Sequence, residues 1–307
     1  MKGRFHIKKA FTLLLTMLML LSMAACGKDS STGKDNPSPN NSADSGESTS
    51  PSAFDLGQYC QAYWAGGIES QLENDEWAYQ IIHGDSGKKA QVTIYNYLGT
   101  STSITIPDTI DGYPVTVLVN GYPRFAKNMN TEDITNIEFP DTLFLITSGM
   151  LDSTAWYDNQ PDGPVYAGNV LYNYKGTVPD GTSFSVADGT TGITAEAFKY
   201  ATGLTSLTMP DTVVNIESYA FLDCSNLEQI RLSKELRYLD SKVFFGCDSL
   251  VEIHIPQKIY FLHDEAFSDS TINKIYYEGD EATWNDLCDR SDLTNTIDIV
   301  FNQVMPD

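Results

Sequence analysis

Apolar positions recur along the second half of the chain with a step of 23 residues. Ala197-Phe198, Ala220-Phe221, Val243-Phe244 and Ala266-Phe267 keep that step, and so do Ile193, Ile216, Leu239 and Leu262. Leu204, Leu227 and Leu250 keep it as well, together with the sets Leu207, Ile230, Ile253 and Met209, Leu232, Ile255. Within one unit the pattern reads Leu204-x-x-Leu207-x-Met209, followed by a turn at Pro210-Asp211. Alternation around the last two apolar positions sends them to one face of a short strand and turns their neighbours outward. One such unit has nothing to cover its apolar face, whereas stacked units bury a continuous column. The pattern therefore predicts a mostly β solenoid of 23-residue coils, with short strands and a capping element at each end.

Carried backwards, the register meets altered copies. Ile104-x-Ile106-Pro107, Ile134-x-x-Ile137-x-Phe139-Pro140 and Phe184-x-Val186 fall on strand positions, with Phe125, Leu151 and Phe198 at the Phe position. The solenoid is expected over 104–278 as roughly six coils, with an aromatic insert at 152–180. An amino-terminal cap is expected over 54–103, of which Trp77 to Leu98 reads as a hairpin and 54–74 is ambiguous between helix and packed loop. The carboxy-terminal cap is 279–307, with helical turns from Glu281 to Cys288 and a last strand from Ile297 to Val304.

The units Leu204 to Cys224 and Leu227 to Cys247 resemble the BspA-type leucine-rich repeat of bacterial surface proteins. The segments from Ile106-Pro107 to Tyr113-Pro114 and from Tyr276 to Trp284 are similar to the capping turns of the same family. The resemblance implies a leucine-rich-repeat solenoid. It also implies a protein attached to the cell surface that acts by binding host proteins, cells or matrix, not by catalysis. It transfers no binding residue.

The amino end reads as an export signal, residues 1–25. Lys2, Arg4, Lys8 and Lys9 precede an apolar run from Ala10 to Ala25, too short to suit a membrane span well. The run closes on Met23-Ala24-Ala25-Cys26, which resembles the lipobox of bacterial lipoproteins, with Met23 where Leu is usual. That likeness implies a lipid on Cys26. Residues 26–53 follow as a tether. From Gly27 to Ala53, 19 of 27 residues are Ser, Thr, Asn, Gly or Pro, a composition that cannot repay chain ordering. Its mean reach is about 30 Å. No second run in the sequence is apolar enough to span a bilayer, so the expected location is the extracellular face of the cytoplasmic membrane, with the lipid anchor as the membrane contact.

The chain carries 41 acidic against 19 basic residues, a net charge of −22. Such a surface repels phosphate backbones and argues against nucleic-acid partners. With 41% hydrophobic residues, 14 Phe and 17 Tyr, it can bury a core. No cofactor is expected. His83, His254 and His263 stand in no paired spacing with Cys or with one another, so no metal site is expected, and Asp280, Glu281 and Asp286 read as a solvated face. No nucleophile motif or phosphate loop occurs, so no catalytic residue and no enzyme activity are expected. Cys224 and Cys247 sit at equivalent places in adjacent coils, about 5 Å apart. They either bond or each fill a small buried slot, as Ala201 and Ser270 do in the flanking coils. Cys60 and Cys288 lie towards opposite ends and are not expected to pair.

Candidate binding residues lie on three parts of the stack. Outward strand positions, read from coil to coil with one residue deleted before the last, end in Gln229/Arg231, Glu252/His254 and Lys274/Tyr276. This ladder brings Arg, His, Lys and Tyr together on an acidic chain. An aromatic stripe of Tyr238, Tyr260 and Phe261, expected to be partly exposed, either stacks on sugar rings or a partner loop, or shields the column. The insert offers Trp156, Tyr157 and Tyr166. The expected function is a cell-surface lipoprotein presenting a binding face for host or matrix protein, or for glycan. The alternative is a protein inside the envelope that binds cell-wall polymer or organises partners.

Overall fold

A computed structural model describes residues 67–68, 72–83, 90–119, 125–263, 265–287 and 297–305. The chain divides into two units, Met1–Ser52 and Ala53–Asp307. The first lies outside the described residues, and with it the expected signal, Cys26 and almost all of the tether. Cys60, Cys288 and most of 54–74 also lie outside them. Among the described residues no helix is long and apolar enough to cross a membrane.

Strands β1 (Gly67–Ile68) and β2 (Leu72–Glu73) flank β3 (Trp77–His83), which pairs antiparallel with β4 (Gln91–Tyr97) as the expected hairpin. Then come β5 (Ser103–Thr105), β6 (Thr109–Ile110), β7 (Tyr113–Leu118), β8 (Asn136–Glu138) and β9 (Leu145–Ile146). The insert holds helix α1 (Ala155–Asp158), β10 (Gly163–Ala167) and β11 (Val170–Lys175). The regular coils supply β12 (Thr182–Ser185), β13 (Gly192–Ile193), β14 (Leu204–Thr208), β15 (Asn215–Ile216), β16 (Gln229–Arg231) and β17 (Tyr238–Leu239). They continue through β18 (Glu252–Ile255), β19 (Phe261–Leu262) and β20 (Lys274–Tyr277), after which α2 (Glu281–Leu287) and β21 (Asp298–Val300) close the chain.

Each coil gives one strand to each of two parallel ladders. The first ladder runs in three hydrogen-bonded blocks, β5 with β8, then β12, β14 and β16, then β18, β20 and β21. The second pairs β4, β7 and β9, and then β11, β13, β15, β17 and β19. Its register equals the sequence repeat, Ile193 against Ile216 against Leu239 against Leu262. The deleted residue also appears, because Glu252 pairs with Lys274 and not with residue 275. The stack has about eight turns where the sequence suggested six. The extra levels come from β4, which joins the second ladder parallel to β7, and from β21, which extends the first beyond β20.

The third side of each coil is a string of turns in which alternate N–H groups point in different directions. Ala197, Lys199 and Ala201 donate within their own coil, to Thr194, Glu196 and Phe198. Glu196, Phe198 and Tyr200 donate to Ser218, Ala220 and Leu222 of the next coil. Left-handed residues recur at this step, Glu196, Tyr219 and Lys242 in one file and Tyr200, Asp223, Gly246 and Asp269 in another. Nearly every amide of the corner is thereby satisfied without a strand.

Inside this corner the Phe rings form a file. Phe198, Phe221, Phe244 and Phe267 follow at centroid distances of 5.4, 5.7 and 6.0 Å, with interplanar angles of 14°, 5° and 5°. All four are buried. Cys224 and Cys247 are buried free thiols. Each donates to a carbonyl of the preceding coil, Phe198 at 3.1 Å and Phe221 at 3.2 Å. Burial pushes the Cys224 thiol up to about 12 and the Cys247 thiol higher still, so neither carries thiolate at neutral pH. Trp77 packs on Tyr97 at one end of the column and Trp284 of α2 packs on Tyr277 at the other.

Candidate functional site

Alternation along the first ladder turns Ile230, Ile253 and Ile275 inward and their neighbours outward. The pairing then sets Thr208 beside Arg231, Glu252 beside Lys274 and His254 beside Tyr276. Asp298 and Val300 continue the two files. Among the described residues β16 and β18 share no ladder hydrogen bonds, so Arg231 ends one block and His254 belongs to the next.

The second block is a preorganised cluster. The His254 and Tyr276 rings stack with centroids 4.6 Å apart and planes at 17°. Lys274 Nζ stands 4.8 Å from the Tyr276 centroid, and the Tyr276 hydroxyl reaches Glu252 at 3.4 Å. The contact with Tyr276 raises the Lys274 pKa above its ordinary value. Burial lowers that of His254, leaving it neutral at pH 7 with no hydrogen-bond partner for Nδ1 among the described residues. An aromatic pair between a cation and a carboxylate, held by backbone pairing, costs little ordering when a ligand binds.

Arg231 differs from what its outward position suggested. Its side chain folds back along the sheet, donating from Nη1 to Met209 O at 2.5 Å and pairing through Nη2 with Asp211 at 3.3 Å. It thus ties its coil to the previous one. Gln229 is exposed, as is Glu252.

The aromatic stripe is also different. Tyr260 is 46% exposed, but Tyr238 is buried at 6% and Phe261 is only partly exposed. Tyr238 and Phe261 stack at 4.5 Å and 8°, and Tyr238 packs in a cluster with Val117, Phe144, Leu145 and Val214. Backbone from earlier coils, carrying Phe144 and Leu145, comes up against this face, which a single-coil reading cannot show.

In the insert, Trp156 is buried and meets Phe139 edge-on at 5.3 Å. Tyr157 packs edge-on against Tyr172 at 5.7 Å, and its hydroxyl accepts from Asn173. The Tyr166 hydroxyl accepts from the Ala187 amide. The Thr154 side chain caps α1 by accepting from the Tyr157 amide, and β10 and β11 form the expected hairpin around Gly168. Tyr157 and Tyr166 are half-buried, and β11 supplies a strand of the second ladder.

Two residues escaped the sequence reading. Asn215 and Glu217 point outward from the second ladder and yet are buried. The carboxyl of Glu217 is pushed up to about 8, by burial first and by Asp240 next. The available signal was their register with Tyr238 and Asp240 in the following coil. Among the described residues no group of three or more His, Cys, Asp or Glu stands together to hold a metal.

Parallel ladders, a Phe file and a 23-residue register define a leucine-rich-repeat solenoid. Residues 172–288 match the BspA type Leucine rich repeat region in six copies. Repeats of this kind are interaction modules in general. Among solved structures the chain is similar to a leucine rich cell surface protein from Faecalibacterium prausnitzii, at 17% identity over 77% of this chain and 96% of that one, TM-score 0.39. It is also similar to a leucine-rich repeat protein from Bacteroides capillosus, at 22% identity over 69% and 100%, TM-score 0.26. A third is the pneumococcal vaccine antigen PcpA, at 13% identity over 78% and 100%, TM-score 0.35. No curated protein matches the chain.

Proposed function

We propose that this protein is a lipid-anchored cell-surface module. Its first ladder binds a host or matrix protein, or a glycan, through the cluster of Glu252, His254, Lys274 and Tyr276. The supporting observation is the His254–Tyr276 stack with Lys274 over the same ring, a rigid and chemically mixed patch on an otherwise acidic chain. Arg231 acts in this reading as a strut that holds the neighbouring coils. Cys26 carries the lipid and 26–53 spaces the solenoid from the membrane. Solvent-facing stacked rings also suit sugar faces, which keeps the cell-wall-polymer reading as the alternative.

The test is a binding screen of the chain without residues 1–25 against matrix proteins and a glycan array, repeated with His254→Ser and Tyr276→Ser combined. Loss of binding at unchanged thermal stability is the expected result. A double variant that binds its ligand as the parent does would overturn the assignment. Fatty-acid labelling in cells that survives Cys26→Ala would overturn the anchor.

A further inference from the structure

Where the insert meets the first regular coil, the corner of the stack does not close. In the regular coils Tyr200 donates to Leu222 O and Asp223 to Phe245 O, so backbone holds each corner to the next. One coil earlier, Tyr174 still donates to Ala197 O at 2.8 Å, but among the described residues neither Gly176 nor Thr177 donates to Lys199 O. The reason lies in β11, which pairs with β10 as far as Lys175, while Lys175 Nζ reaches Tyr157 O, Asp158 O and Gln160 O of the insert. The chain then turns through Gly176 at φ 79°. A cavity of about 230 Å³ is left, with Tyr174, Thr177, Phe198, Lys199, Tyr200 and Thr202 in its lining.

Phe198 is buried at the base of this cavity, and Tyr174 packs on it with centroids 5.9 Å apart. Tyr200 stands at the rim, 61% exposed. It is also left-handed, at φ 62°, where the later coils place Asp223, Gly246 and Asp269. Asp and Gly suit that conformation, whereas a bulky ring does not, and an exposed ring gains no packing in return. Strain that packing does not repay points to a use for the ring outside the fold. Leu222 O and Phe245 O face the preceding coil, so the repeat turns Lys199 O into the gap as an open acceptor. The Thr177 and Thr202 side chains are exposed beside it. Lys199 Nζ pairs with Glu196 at 3.1 Å and lies 5.3 Å from the Tyr200 centroid, so its charge is already met. A net charge of −22 turns acidic ligands away. Drug-sized molecules need about 300 Å³ or more, so a single ring is what the cavity admits. An uncharged pyranose ring offers an apolar face for Tyr200 and hydroxyl groups around its whole edge, where a tyrosine side chain from a protein would offer only one.

We infer that this cavity binds one uncharged pyranose ring at the end of a glycan, with Tyr200 against its face and Lys199 O, Thr177 and Thr202 meeting its hydroxyl groups. The site shares no residue with the cluster of Glu252, His254, Lys274 and Tyr276. It does not depend on what the first ladder binds.

The test is saturation-transfer NMR on the chain without residues 1–25, carrying Cys26→Ser. The probes are the methyl glycosides of glucose, galactose, mannose and N-acetylglucosamine, of which at least one is expected to receive transfer. Tyr200→Gly removes the ring and relieves the left-handed strain, so it should weaken that glycoside by at least about tenfold at an unchanged or higher thermal midpoint. Thr177→Val with Thr202→Val should weaken it too, and His254→Ser with Tyr276→Ser should leave it as it is. Displacement of the glycoside by cell-wall disaccharide or by neutral mucin-type oligosaccharide supports the proposal and tells the source of the ring, and displacement by neither overturns it. So does transfer to none of the four, transfer only to N-acetyltyrosinamide as a stand-in for a protein side chain, or a glycoside signal that survives Tyr200→Gly.

Discussion

Replacing Phe221 with Ala removes the second ring of a four-ring file. Phe221 is fully buried and lies 5.4 Å from Phe198 and 5.7 Å from Phe244, so the change breaks two ring pairs and opens a hole between three coils. Phe→Ala in a packed core costs about 3–5 kcal/mol, from lost transfer energy and unfilled cavity together. The upper part of that range applies because collapse is blocked. Ala220 is already small, and the corner backbone is held to the next coil by amides such as Phe221 to Val243 and Asp223 to Phe245. Phe221→Leu keeps most of the volume and is expected to cost less than about 1.5 kcal/mol. Urea denaturation of wild type and both variants measures the difference, with equal m-values showing that the denatured reference is unchanged. Combining Phe221→Ala with Phe244→Ala should cost less than the sum of the single changes, since the pair shares one contact and one cavity. A loss below about 1 kcal/mol for Phe221→Ala would refute the idea that this file carries the stack.

Glu217 has a folded-state pKa near 8, above its ordinary value of 4.5, so its contribution is complete below about pH 4.5 and is lost as pH rises through 8. Glu217→Gln should therefore gain on wild type by up to about 5 kcal/mol between those limits, as followed by chemical denaturation across pH, and a pH-independent difference would contradict this. Gly192 has no room for a side chain, because a Cβ there would run into Phe144 O. Gly192→Ala should cost about 1–3 kcal/mol by overpacking, and a thermal midpoint equal to that of wild type would show that the Phe144 backbone yields easily.

Much of the fold is legible along the chain because a solenoid turns long-range contacts into a local rule. Residue n meets residue n+23, so the positions of Leu207, Ile216 and Phe221 in one coil announce those of Ile230, Leu239 and Phe244 in the next. Inward and outward assignment on the first ladder follows from strand alternation alone, which is why Glu252, His254, Lys274 and Tyr276 could be placed before any coordinates. For Cys224 and Cys247 the spacing permits both a bond and two buried slots. Their donation to Phe198 O and Phe221 O decided it.

What the repeat cannot express is contact across its own period. Arg231 is outward by register, but whether it reaches a ligand or folds onto Met209 O and Asp211 depends on side-chain rotamers and on a turn in the preceding coil. Tyr238 reads as a partly exposed position. It is buried because Phe144 and Leu145 of an earlier part of the chain pack against the second ladder. Sequence by itself determined the coil, its period and the inward column, since these arise from apolar periodicity and nearest-neighbour pairing. Tertiary structure alone decided which outward faces stay open, because an outward residue is exposed only if no distant segment finds it favourable to cover it.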